Sequence, residues 1–79
     1  MTPRETYTNI FVESFGVDAS ALDERFVYQC VPTWDSVGHM SMIAALEDAF
    51  DIALEVDDIV DFSSFTKGMD ILGKYGVNL

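Results

Sequence analysis

The sequence predicts an all-α chain: a small four-helix bundle of three main helices and one short one, with a long loop between helices one and two. Three observations carry this reading. Apolar residues recur every three or four positions in three separate segments, each introduced by a capping residue. No segment sustains strand alternation or a hairpin signal, apart from a few residues near Phe26. The 79 residues, 49% of them hydrophobic, are enough for one domain, 1–79, and no more.

Thr2-Pro3-Arg4-Glu5 opens the first helix. Thr2 suits the cap, Pro3 the first helical position, and Glu5 stands where a capping box needs it. Tyr7, Ile10, Phe11 and Phe15 follow at helical spacing, and Gly16 supplies a left-handed stop, so helix one is expected from Pro3 to Phe15. From Gly16 to Trp34 no period holds. Val17, Leu22, Phe26, Val27 and Val31 imply that this loop lies across the core, with a helical turn around Ala19 to Leu22. Asp35 is the expected N-cap of the second main helix, with Ser36 in its first turn. Val37, Met40, Ile43, Leu46 and Phe50 are expected to line its apolar face. Gly38, His39, Ser41, Met42, Ala45, Glu47, Asp48 and Asp51 fall on the opposite and flanking faces. The acidic stretch Glu55 to Asp61 is short and predicts a helix of one or two turns. Ser63-Ser64 offers the last cap, ahead of Phe65, Met69, Leu72 and Tyr75, with Gly76 as the stop.

Fourteen Asp and Glu against four Lys and Arg give a net charge of −10. Nucleic acid and anionic membrane surfaces are therefore not expected as partners, because both need clustered cations. Partners with basic patches are the complement. The single cysteine, Cys30, cannot form an internal disulfide and is expected as a small buried or half-buried apolar residue. Cys30 and His39 are too few for a structural zinc site, so no metal is expected. Glu55, Asp57, Asp58 and Asp61 lack the residue order of a calcium loop. No signal peptide follows Met1 and no apolar run approaches about 18 residues, so the chain is expected to be cytoplasmic, without membrane insertion, and monomeric. A compact nucleophile, base and orienter are missing, and no enzyme activity is expected.

Trp34-Asp35-Ser36-Val37 is the segment that carries chemistry. A serine in the first turn of a helix has its hydroxyl beside unpaired backbone N–H groups and the positive end of the helix dipole, so a phosphate esterified there is favourably placed. Asp35 is either the helix cap or a group that helps hold a metal ion or a basic partner during phosphoryl transfer. Taken alone, the Asp-Ser pair reads as a plain N-cap. The wider pattern is Asp35-Ser36-Val37 followed by Leu46-Glu47-Asp48-Ala49-Phe50. On these two motifs, at this spacing in an acidic helical chain, the sequence resembles the acyl carrier protein family, including its peptidyl and aryl carrier relatives. The likeness runs over most of the chain.

The resemblance implies that Ser36, flanked by Asp35, carries 4′-phosphopantetheine, attached by a separate phosphopantetheinyl transferase from coenzyme A. The thiol of that arm would hold an acyl or aminoacyl group as a thioester, which explains why the chain needs no catalytic groups of its own. It further implies a carrier serving acyl-transferring or condensing enzymes of fatty-acid, polyketide or related biosynthesis, and the start at Met1 with an end soon after the last helix leads to the expectation that this carrier is stand-alone. Glu47 and Asp48 match positions that meet Arg and Lys on such enzymes, and Val37 and Leu54 match apolar contact positions. Locally, Glu47, Asp48 and Asp51 also read as a solvated face, and Val37 as core. A cleft between the second helix and the Leu54 to Val60 region is expected to shelter the acyl chain. Gly38, His39 and Ser41 depart from the family's polar or acidic pattern. Gly38 points to close approach by a partner or the arm, and His39 is expected as a solvated surface histidine. Trp34 either anchors the loop in the core or marks a specialised, peptide-type pathway. Two other readings stay open: an aminoacyl or peptidyl carrier of a specialised pathway, and an unmodified acidic interaction module in which Ser36 is only a cap.

Overall fold

The computed structural model describes residues 2–79. Helix α1 spans Pro3–Phe15, α2 Ser36–Phe50, α3 Val56–Asp61 and α4 Phe65–Gly73, with a 3-10 turn at Ala19–Ala21 in the long loop. This is a small all-α bundle, and no strand forms among the described residues. The extended residues near Phe26 make a single antiparallel bridge between Val27 and Ser64. Two backbone bonds flank it, Tyr28 N–H to the Ser63 carbonyl at 2.8 Å and Phe65 N–H to the Phe26 carbonyl at 2.9 Å. The loop is thereby fastened to the start of α4.

Local chemistry sets the helix ends. The Glu5 amide donates to Thr2 Oγ1 at 3.1 Å while the Glu5 carboxylate accepts from the Thr2 amide at 3.3 Å, a complete capping box. Gly16 ends α1 at φ 66°, where a side chain would be strained. Ser64 Oγ accepts from the Lys67 amide at 2.9 Å and caps α4. Thr33 Oγ1 donates to the Phe15 carbonyl at 2.9 Å, so the end of the loop satisfies one of the open carbonyls of α1.

Aromatic rings dominate the core. Phe11 is fully buried and has the rings of Tyr7 and Phe65 at 5.0 Å, Phe15 at 5.5 Å and Trp34 at 5.6 Å. Pairs in such tilted and edge-on geometries add about 0.5–1.5 kcal/mol each beyond simple burial. The loop contributes Phe26 and Trp34 to this cluster, so it does lie across the core. Tyr7 is also fully buried, and its hydroxyl is satisfied by donating to the Phe65 carbonyl at 2.6 Å. Burial drives that phenol far above its ordinary pKa, against the opposing charge of Arg4.

Helix α2 is rotated relative to the periodicity-based expectation. Its buried residues are Met42, Ile43 and Leu46, with His39 and Phe50 half-buried. Val37 and Met40, expected on the inner face, are 75% and 52% exposed. Positions 37, 40, 42, 43 and 46 are all apolar, so two adjacent stripes compete, and the aromatic cluster selects the one that meets it. Cys30 is also corrected: it is exposed, in a turn where Gln29 takes a left-handed φ of 67°.

Candidate functional site

Ser36 is the first residue of α2, and its side chain is exposed. Asp35 adopts extended backbone and its Oδ1 accepts from the Gly38 amide at 2.8 Å, so its capping role is realised. Ser36 is thereby presented at the positive end of a 15-residue helix. Tyr28 Oη lies 3.4 Å from Ser36 Oγ, within hydrogen-bond reach. Nothing in the sequence marked Tyr28. Its position comes from the backbone bridge to Ser63 and from edge-on contacts with the Trp34 and His39 rings.

A cleft of about 320 Å³ opens beside Ser36. Tyr28 and Ser36 line it, as do His39 and Met40 of α2, Ile59 and Val60 of α3, and Phe62 and Ser63 beyond. It lies between α2 and the α3 region, where the resemblance led us to expect one.

The departures from the family pattern acquire structural causes. A Cβ on Gly38 would sit 3.2 Å from the Thr33 carbonyl carbon and overlap its oxygen. The close approach at Gly38 is thus made by the chain's own backbone, which is packed on α2 just ahead of Ser36. His39 is a half-buried bridge rather than a solvated side chain. Trp34 Nε1–H donates to its Nδ1 at 2.9 Å, and its Nε2 stands 2.9 Å from the Ile59 carbonyl oxygen. Trp34 is wholly buried, which makes it the loop anchor.

The expected contact residues divide. Val37 is exposed beside Ser36, and Asp48 is exposed on α2. Glu47 is half-buried, and its Oε2 accepts from the Leu54 amide at 2.8 Å, so it also holds the connection from α2 to α3. Leu54 is only 8% exposed and belongs to the core, so it offers no surface to a partner. The exposed apolar side chains nearby are Val56 and Val60, at 75% and 76%. Val60 also lines the cleft beside Ser36.

Electrostatics are one-sided here. From Phe26 to Thr66 the sequence holds no Lys or Arg, while Asp35, Glu47, Asp48, Asp51, Glu55, Asp57, Asp58 and Asp61 fall within that interval. One cation reaches in from outside: Lys74 Nζ contacts Asp58 Oδ1 at 2.5 Å, and Tyr75 Oη donates to Asp58 Oδ2. Those two hydrogen bonds, Lys74 first, hold the Asp58 carboxyl below its ordinary pKa, and the same carboxylate raises Lys74 and Tyr75. Among the described residues, no group of three or more His, Cys, Asp or Glu side chains is placed to hold a metal ion. No helix of the described residues is long and apolar enough to cross a membrane.

Comparison with known proteins adds no relative: no family model matches the chain, and neither the curated proteins nor the solved structures contain a match.

Proposed function

We propose that this chain is a carrier protein that bears 4′-phosphopantetheine on Ser36 and presents acyl or aminoacyl groups to partner enzymes. The observation that carries the reading is the exposed Ser36 hydroxyl at the start of α2, directly beside an apolar-walled cleft. These residues fit the group. The hydroxyl is open to a transferase, the helix start favours the phosphodiester's negative charge, and the cleft offers shelter for an apolar tail. When bound, the arm supplies the thiol on which cargo is held as a thioester. The chain's own part is to orient and dock. Asp35 fixes the first turn, Tyr28 stands within hydrogen-bond reach of the serine oxygen, and the predominantly acidic surface of α2 and α3 favours fast, brief encounters with basic partners.

The test is direct. The unmodified protein is incubated with a broad-specificity phosphopantetheinyl transferase and coenzyme A, and its intact mass is recorded. A single phosphopantetheine increment is expected in the wild type and none in Ser36→Ala. An unmodified wild type beside an active control carrier would overturn the reading and leave an acidic interaction module with a capped helix.

A further inference from the structure

His39 joins three parts of the molecule. Trp34 holds it from the loop end, its own backbone belongs to α2, and Ile59 belongs to α3. The protonation pattern follows from the partners. An indole N–H can only donate and a backbone carbonyl can only accept, so Nδ1 must be bare and the proton must sit on Nε2. The Trp34 ring that imposes this is immobilised, lying parallel to Phe15 at 4.9 Å and to Phe26 at 5.4 Å. It also lies parallel to the His39 ring, 13° apart.

Helix α3 is short, and its core contacts are few: Ile59 packs partly against the core, and Phe62, just past its last residue, is 1% exposed. It has six residues and none of them is buried. Near its N-terminal end, Asp58 is held by Lys74 and Tyr75, and the Glu55 amide donates to Tyr75 Oη at 2.9 Å. The carbonyl of Ile59, the residue after Asp58, is one of the last four, which lack a partner within the helix. His39 provides that partner. Both His39 and Ile59 also line the cleft beside Ser36.

We propose that His39 is the latch of the Ser36 cleft: as the Nε2–H tautomer set by Trp34, it fastens α3 to α2 through the Ile59 carbonyl and fixes the width of the cleft. Release of this bond leaves the Ile59 carbonyl without its partner and lets α3 draw away from α2, so the cleft widens between Met40 and Val60. His39 is a positioning residue, acting through α3. Its relevance to cargo rests on the carrier reading, but the latch is a property of the unmodified chain.

The test therefore uses the unmodified full chain. Proton–nitrogen correlation spectra of the His39 ring are expected to show a proton on Nε2 and none on Nδ1. In His39→Phe, which keeps a ring but neither hydrogen bond, amide exchange in α3 is expected to rise about tenfold, the scale of one lost hydrogen bond. Exchange at Phe11 is expected to rise as well, because the buried Trp34 N–H loses its partner, so the latch is read from the behaviour of His39→Gln. His39→Gln, with one amide donor and one amide acceptor, is expected to restore much of the α3 protection. The neutral dye N-phenyl-1-naphthylamine should bind His39→Phe more tightly than wild type or His39→Gln. A proton on Nδ1, α3 exchange unaffected by His39→Phe, or α3 protection left unrestored by His39→Gln would each overturn the latch. The tautomer measurement stands even if a variant fails to fold. Failure of Ser36 to accept the arm would leave every one of these readouts untouched.

Discussion

Gly38→Ala separates two accounts of the same glycine by the sign of its effect. At an open helical position, alanine stabilises by about 1 kcal/mol relative to glycine. Here the added methyl group would overlap the Thr33 carbonyl oxygen and press on its carbonyl carbon at 3.2 Å. Backbone cannot rotate out of the way as a flexible side chain can. Moving it would disturb the Thr33 bond to Phe15 and drag on Trp34, which is fully buried. Overpacking of this kind costs about 1–3 kcal/mol, and loss of the Asp35 cap on the Gly38 amide adds about 1 kcal/mol. After the propensity gain is subtracted, a net destabilisation of about 1–3 kcal/mol remains, enough to lower Tm by about 5–15 °C in a domain of this size. Thermal and urea unfolding followed by circular dichroism would measure it. A Gly38→Ala protein as stable as wild type, or more stable, would refute the packing argument and return Gly38 to the surface role that its sequence suggested.

Two other outcomes follow from the ion and hydrogen-bond networks. Asp58→Asn should lower Tm at neutral pH, because its folded pKa is depressed: the carboxylate's contribution is present above its ordinary value of 3.8 and fades as pH falls through the lowered folded value. Lys74 has the opposite sign, with its share intact below 10.5 and lost as pH rises through its raised folded value. Melting curves of wild type and Asp58→Asn across pH should therefore converge at both extremes, and a gap independent of pH would contradict this. Tyr7→Phe removes a buried donor from the Phe65 carbonyl and should cost about 1–2 kcal/mol in urea unfolding; no loss would mean that the carbonyl finds another partner.

The helix plan was legible in the sequence because its punctuation is local. Thr2 with Glu5, Gly16, Asp35 and Ser64 each act on backbone groups within a few residues, so their effect can be read without a partner. Ser36 was legible for the same reason, being fixed by its place after a cap. What could not be read depends on distant neighbours. The rotation of α2 is decided by aromatic rings from α1 and the loop. Leu54 was expected at a contact position on the family resemblance, and nothing in its own segment announces the core it joins. His39 has one partner five residues away and another twenty away, and neither spacing is a motif. Tyr28 reaches Ser36 through a one-residue bridge to Ser64's neighbourhood, too short to leave an alternating pattern.

The placement of Trp34 has a practical consequence. It is the chain's single tryptophan, sealed in the core yet hydrogen-bonded to the ring that lines the cleft. Its fluorescence therefore comes from one known spot, with no second indole to blur it. Any event that breaks the Trp34–His39 hydrogen bond changes the polarity at that indole, so such an event can be followed in real time on the unlabelled protein.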